Sequence, residues 1–210
     1  SNSRNNAIMI FIGITGGIAS GKSTASSILK EEYNAYVFDA DKEAKLLLFN
    51  KEVSKKIIES FPNLKSTDPK EMSKIVFKDQ ENQKKLNSIV HPALRTEMMK
   101  RIDKIRNQKK HPIFINDAAL IIESGFYEYY YNSGAYLILV TSSESIRIKR
   151  ALSRGNLSEQ SIRDRMALQW NDEKKKDYAD YIIENNGSVD DLRSAIHFLI
   201  KEIKENAKVS

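Results

Sequence analysis

A glycine-rich stretch near the start of the chain constrains the fold more strongly than any other segment. The run Gly16-Gly17-Ile18-Ala19-Ser20-Gly21-Lys22-Ser23, followed by Thr24, fits the pattern G-x-x-x-x-G-K-[ST]. The apolar residues 10–14 before it predict a buried strand, and residues 24–30 after it predict a helix. In such a unit, glycines bring backbone N–H groups against phosphate oxygens at the positive end of the helix. The loop therefore predicts a nucleoside triphosphate site.

Two side chains of the loop have predicted roles of their own. Lys22 is expected to reach the β- and γ-phosphates, and Ser23 is expected to offer its hydroxyl to Mg²⁺. The alternative is a glycine-rich turn without a ligand, which the flanking strand and helix disfavour. The expected ligands are therefore ATP and Mg²⁺.

Composition narrows the class of protein. The 210 residues, 40% of them hydrophobic, suffice for one globular core with appended elements. There is no cysteine, which excludes disulfides and a cysteine nucleophile and suits a cytoplasmic location. No apolar run is long enough to span a membrane. Residues 7–14 are not expected to be part of a signal peptide, because cleavage there would destroy the loop, and residues 1–7 are expected to be a tag or disordered tail.

The net charge of +6 suits polyanionic ligands but would also attract nucleic acid. Apart from Lys109-Lys110 and Lys174-Lys175-Lys176, the basic residues are scattered among acidic ones. We therefore expect a small-molecule substrate, no nucleic-acid partner, no membrane association, and a monomer or weak homo-oligomer.

Alternation of strand-like and helical patterns indicates the fold class. Strand-like runs occupy residues 10–14, 36–38, 113–115, 136–140 and 181–183. Because helical patterns fill most of the intervals, we expect an α/β, three-layer P-loop NTPase fold, with a five-stranded parallel sheet flanked by helices. Ligands should gather at the carboxyl ends of the strands.

Two long helical intervals interrupt this alternation. The first contains helical patterns at residues 53–61, 69–77 and 80–106. We expect a nucleotide-binding core at 8–49, 112–142 and 179–210, a helical subdomain at 50–111, and a second helical excursion at 143–178.

Acidic residues follow two of the predicted strands. Asp39 and Asp41 come after the second strand, where one of them is suited to accept the proton of an attacking alcohol. Alternatively, either residue caps or begins the next helix, where carboxylates favour the N-terminal turn. Asp117 comes after the third strand, where it is suited to orient Mg²⁺ or, alternatively, to accept hydrogen bonds from loop amides.

Basic residues near the last two strands also allow two interpretations. Arg147, Arg150 and Arg154 share one helical face, which suits either closure over a triphosphate or exposure to solvent.

On spacing alone, His91-Pro92 is typical of a helix start, with the proline at the first helical position.

Together these residues resemble the dephospho-CoA kinase family, and the resemblance runs from about residue 10 to residue 199. Matching segments are the loop at 14–24, Asp39-Ala40-Asp41, His91-Pro92 with Arg95, Asp117 with Leu120-Ile121-Ile122-Glu123, Arg150 with Arg154, Arg165 with Gln169, and residues 179–187.

The resemblance implies an enzyme that uses ATP and Mg²⁺ to phosphorylate the ribose 3′-hydroxyl of dephospho-CoA, in the last step of coenzyme A synthesis. It implies that 50–111 is the acceptor subdomain and that 143–178 is a lid. The implied roles are catalysis by Asp41, Lys22 and Arg150, phosphate binding by the loop with Arg150 and Arg154, acceptor binding by Asp39, Asp41, His91, Arg95, Leu120 and Glu123, and metal binding by Ser23 and Asp117.

Three positions depart from the family pattern. The family usually has glycine at Ala19, proline at Ala119 and aspartate at Gly155.

Other P-loop kinases, acting on a nucleoside monophosphate or a sugar acid, are the nearest alternative function, followed by a nucleotide switch or a nucleic-acid-linked ATPase. The Asn50-Lys51-Glu52-Val53 stretch lacks the aspartate of the guanine-reading N-K-x-D pattern, which disfavours a GTPase-like switch.

Overall fold

The computed structural model describes residues 8–77 and 79–209. The predicted tag or tail at residues 1–7 lies outside the described residues. Contacts divide the chain into two compact units, one made of the residues up to Phe38 and from Gln108 onward, and one made of Asp39–Asn107. The predicted division of the first unit into core and lid stays a prediction.

Five parallel strands form one sheet in the order β2-β3-β1-β4-β5, which confirms the predicted fold class. The strands are β1 Ile10–Thr15, β2 Tyr36–Asp39, β3 Ile113–Asp117, β4 Tyr136–Thr141 and β5 Tyr181–Glu184. Each predicted strand is present and extends one or two residues beyond its predicted end. β1 lies between β3 and β4, with Ile14 paired to Asp117 on one side and to Ile138 on the other. The carboxyl end of β1, which leads into the phosphate loop, is therefore at the centre of the sheet.

Helices of the first unit cover both faces of the sheet. They are α1 Lys22–Tyr33, α6 Tyr127–Ser133, α7 Glu144–Ser153, α8 Glu159–Ala167, α9 Asp172–Lys176 and α10 Val189–Val209. Alternate strand residues point to opposite faces: Ile12 and Ile14 pack with α1 and α10, whereas Phe11 packs with Tyr130 of α6. Two apolar layers on a central sheet give the expected three-layer arrangement.

The second unit is helical and has its own apolar core. Its helices are α2 Ala40–Leu47, α3 Lys51–Ser60, α4 Pro69–Ile75 and α5 Gln80–Gln108. The fully buried Ile57, Met72 and Val76 lie at the centre of this core. Each of the three predicted helical segments of this interval corresponds to one of the helices α3, α4 and α5.

One local prediction in this unit is wrong. His91-Pro92 does not begin a helix, because Pro92 lies in the interior of α5. Proline lacks the N–H that would bond to the carbonyl of Ser88 but does not forbid the helical φ angle. The helix continues through the site, and Thr96 Oγ1 donates to the carbonyl of Pro92 at 3.1 Å.

Among the described residues, no helix is both long enough and apolar enough to cross a membrane.

Candidate active site

The phosphate loop has the backbone geometry of an anion site. Gly21 immediately precedes α1 and holds φ at 99°, a left-handed conformation that favours glycine. Gly21 has no side chain with which to cap α1, so the first amides of the helix keep their capacity to donate to a bound anion. The predicted strand, loop and helix are thus all present in the predicted order.

Lys22 lies at the start of α1, beside the carboxyl end of β3. Its ammonium forms a short contact with Asp117 Oδ1, while Ser26 Oγ donates to Asp117 Oδ2 at 2.8 Å. The Asp117 carboxylate is buried, with 7% of its side chain exposed. These side-chain partners, rather than loop amides, hold the carboxylate in place and join the third strand to the phosphate loop.

A second group of contacts fixes the loop from the side of β5. Asn185 follows β5, and its Nδ2 donates to the carbonyl of Ser20 at 2.9 Å. The Arg150 guanidinium donates to the carbonyl of Asn185 at 2.9 Å and to Ser142 Oγ at 2.8 Å. Arg150 is therefore linked to the phosphate loop through Asn185. This position is suitable for an arginine that neutralises phosphate charge.

The segment predicted to be a lid also contacts the loop directly. Arg147 Nε donates to the carbonyl of Ile18 at 2.8 Å, and the Ile18 amide donates to Gln169 Oε1 at 3.0 Å. Burial lowers the pKa of Arg147, and the charges of Asp172 and Glu144 act in the opposite direction. Because an arginine starts from so high a pKa, this guanidinium stays charged at neutral pH.

An apolar seam accompanies these polar contacts. Ala19 of the loop packs with Ile148 and Ala151 of α7 and with Ile162 of α8. Arg154, the residue after α7, is exposed. The predicted common face of the three arginines is thus graded in depth, since Arg147 is buried and the other two are progressively more exposed.

Leu120 and Glu123 lie in the turn segment that links β3 to α6, and both are partly buried. The Glu123 carboxylate lies 3.6 Å from the ammonium of Lys175, whose side chain has no exposed surface. Glu123 is thereby joined to α9, at the end of the predicted lid. Its proposed contact with an acceptor stays a prediction.

Asp39 and Asp41 have different local environments within the second unit. Asp39 ends β2 and caps α2, since its Oδ1 accepts from the amide of Lys42 at 3.1 Å. Asp41 lies in the first turn of α2 and is exposed. Asp39 therefore caps the helix, and Asp41 occupies the N-terminal turn, where a carboxylate is also favourable.

His91 and Arg95 lie one helical turn apart on α5, and both are partly buried. Burial lowers the pKa of His91, and the positive charge of Arg95 lowers it further. Their proposed contacts with an acceptor stay predictions.

Several contacts of this site are not predicted from the sequence. Gln169 and Asn185 match the family pattern without an assigned contact. For Arg147 the sequence allows closure over a triphosphate or exposure to solvent, but this residue is buried. Lys175 belongs to a run of three lysines for which the sequence gives no role. Their partners are 35 to 165 residues away in sequence, so no local pattern indicates them.

The oxygen donors fit a magnesium ion that phosphate oxygens help to hold. Ser23 is exposed at the start of α1, and Asp117 lies at the end of β3. No group of three or more histidine or acidic residues within the described ranges is placed to hold a metal alone. Magnesium commonly uses one or two protein oxygens together with water and phosphate, so this sparse donor set is compatible with it.

Comparison with known proteins gives consistent matches over most of the chain. The family model described as dephospho-CoA kinase matches residues 10–191. A dephospho-CoA kinase from Oceanobacillus iheyensis is 37% identical over 195 residues, which cover 88% of this chain and 92% of that protein.

Solved structures agree with the sequence matches. TT1252 from Thermus thermophilus has a TM-score of 0.74 and 29% identity, and the similarity covers 92% of this chain and 97% of that one. Dephospho-CoA kinase from Campylobacter jejuni has a TM-score of 0.65 and 30% identity, covering 95% of this chain and 100% of that one.

Proposed function

This chain belongs to the dephospho-CoA kinase family, and from that premise we propose that it transfers the γ-phosphoryl group of ATP to the ribose 3′-hydroxyl of dephospho-CoA, giving coenzyme A and ADP. The observation that carries the proposal is the complete phosphate loop, with Gly21 in the left-handed region and Lys22 beside Asp117. Such a loop supports phosphoryl transfer, and the family match supports the choice of acceptor.

At the phosphate end, the loop amides and the start of α1 bind the triphosphate, and Lys22 neutralises its β- and γ-oxygens. Arg150 and Arg154 add positive charge from the lid segment. Phosphoryl transfer needs little covalent help from the protein, so positioning and charge stabilisation supply most of the acceleration.

Ser23 and Asp117 would hold Mg²⁺, Ser23 through its exposed hydroxyl and Asp117 through its carboxylate or an intervening water. When bound, the ion supplies charge neutralisation at the phosphate oxygens. Asp117 also keeps the Lys22 ammonium at the end of β3, and that contact is within hydrogen-bond reach in this structure.

At the acceptor end, Asp41 orients the hydroxyl and takes its proton. Support for this role comes from the match of Asp41 to the family pattern and from its exposure in the first turn of α2. The family pattern also gives Asp39, His91, Arg95, Leu120 and Glu123 the role of acceptor-binding residues. The lid segment excludes water from the site, which suppresses the hydrolysis of ATP that competes with transfer. A cytoplasmic location, a monomer or weak homo-oligomer, and the absence of a nucleic-acid partner belong to the same proposal.

The test is an acceptor panel with the purified protein, ATP and Mg²⁺. Dephospho-CoA, adenosine monophosphate and shikimate are offered in parallel, and both ADP release and the acceptor mass are followed. The expected result is ADP release matched one for one by coenzyme A formation. Transfer to another acceptor alone would retain the kinase class and refute the acceptor, whereas failure to transfer to any of the three would refute the proposal.

A further inference from the structure

Ile18 of the phosphate loop is hydrogen-bonded at both its N–H and its C=O by side chains that are distant in sequence. Ile18 donates its amide to Gln169 Oε1 at 3.0 Å and accepts at its carbonyl from Arg147 Nε at 2.8 Å. Gln169 follows α8, and Arg147 lies on α7. These two hydrogen bonds restrict the rotation of the peptide groups on either side of Ile18.

Gly17 provides the room for these two side chains. A Cβ atom at Gly17 would lie 2.1 Å from an Arg147 nitrogen and 3.1 Å from Gln169 Oε1. The second glycine of the loop therefore allows two side chains to approach the backbone, in addition to any role toward phosphate. Arg147 is itself buried, with 8% of its surface exposed, so its guanidinium has a fixed position from which to donate.

The orientation of this residue governs the rest of the loop. Ala19 follows it with φ at 57°, a conformation that is unfavourable for a residue with a side chain. Ser20 then donates its amide back to the carbonyl of Gly17 at 3.1 Å, closing the turn. A rotation of the peptide groups at Ile18 would change the direction of the amides that follow, and an anion site of backbone N–H groups depends on their alignment.

We propose that Gln169 and Arg147 are positioning residues that hold the phosphate loop in its anion-binding conformation by clamping Ile18. They act through the loop backbone and are not assigned a contact with the nucleotide. The proposal rests on the proposed kinase function, but its first readout, nucleotide affinity, needs no acceptor.

The direct test replaces Gln169 with methionine, which keeps the length of the side chain and removes the acceptor oxygen. The Kd for ADP, measured by titration calorimetry without acceptor, should rise about tenfold, because an amide loses its hydrogen-bond partner. The KM for ATP should rise in proportion, while the KM for the acceptor stays unchanged. Gln160→Met is the matched control, since Gln160 lies on α8, is exposed and bonds only to the neighbouring Asp164 among the contacts described for it.

Arg147→Lys provides a second variant with the charge retained beside Asp172. A lysine lacks the Nε donor at that position, so the same selective rise in Kd for ADP is expected. This variant decides the question if Gln169→Met does not fold.

Three results would overturn the proposal. One is an unchanged Kd for ADP in both folded variants. Another is an equal loss in every kinetic constant together with a lower Tm, which would indicate general stabilisation. The third is tighter ADP binding, which would mean that Gln169 competes with phosphate for the Ile18 amide. A wild-type protein that binds ADP but does not phosphorylate dephospho-CoA would refute the proposed acceptor and leave the clamp to be judged on ADP affinity.

Discussion

Lys175 is buried with its charge opposite one carboxylate, and its replacement should reveal how much that pairing matters. The ammonium lies 3.6 Å from Glu123 Oε2, with the lysine side chain fully buried and 10% of the glutamate side chain exposed. Within the described residues, neither the ammonium nor the Glu123 oxygens have a hydrogen-bond partner. Lys175→Met keeps the apolar stem of the side chain and removes only the charge.

The expected magnitude follows from the burial of both groups. Removing one partner leaves the other charge buried and uncompensated, which costs about 3–5 kcal/mol. For a chain of this length, each kcal/mol lowers Tm by about 2–4 °C, so the variant should melt about 6–20 °C below the wild type. The pairing itself contributes much less, because desolvation offsets its attraction. Adding Glu123→Leu to Lys175→Met should therefore restore most of the lost stability.

The assay is thermal and urea unfolding of the wild type, the two single variants and the double variant, without ligands and at one pH. Lys176→Met is the control, because Lys176 pairs with the exposed Glu173 at 2.8 Å and such exposed pairs contribute little to stability. A Lys175→Met variant that melts with the wild type would refute the reasoning. So would a double variant as unstable as the sum of the two single changes, because the carboxylate would then not be the source of the loss.

Three further predictions concern catalysis, backbone strain and pH. Lys22→Ala and Asp41→Asn should each lower kcat about 10²–10⁴-fold, with the KM for ATP raised mainly in the first; near-normal turnover in Asp41→Asn would exclude that residue as the base. Gly155 holds φ at 77° in open space, so Gly155→Ala should lose about 1 kcal/mol and about 2–4 °C in Tm through backbone strain alone, and an unchanged melting curve would contradict this. Burial and Arg95 lower the pKa of His91 below its ordinary 6.5, so the unfolded chain takes up this proton first and stability falls as pH drops through 6.5. His91→Gln should flatten the stability profile between pH 7 and 5, and an identical slope would refute this assignment.

Sequence patterns were sufficient for the architecture because strands of a buried parallel sheet are short apolar runs. Residues 136–140 illustrate this, since nearly every side chain of β4 is buried and the run has no competing helical period. The interior of α5 was the exception at one point. Because proline is common at helix starts, the sequence at Pro92 predicts the beginning of a helix. In the structure, the helix Gln80–Gln108 continues through this proline.

Sequence patterns indicate a candidate site residue where its position depends on adjacent residues, and they miss contacts that depend on distant ones. The loop pattern located Lys22 and Ser23 because their spacing from the glycines is fixed by one turn of backbone. The contacts of Gln169 and Arg147 with Ile18 span 151 and 129 residues, and only the fold brings them together. Lys175 shows the same limit, since a run of three lysines gives no indication of which one is buried.

The conformation of Ala19 shows that contacts from outside the phosphate loop, as well as the sequence of the loop, determine its shape. A non-glycine residue at φ 57° costs about 1–2 kcal/mol. Side-chain hydrogen bonds hold the adjoining residues. Two are at Ile18, and the carbonyl of Ser20 accepts from Asn185 Nδ2 and from Ser142 Oγ. A typical hydrogen bond contributes about 0.5–1.5 kcal/mol. The methyl group of Ala19 also packs in the apolar seam with α7 and α8. These contacts are of the same order as the cost of the strained backbone or larger, and they stabilise the loop conformation without a glycine at this position.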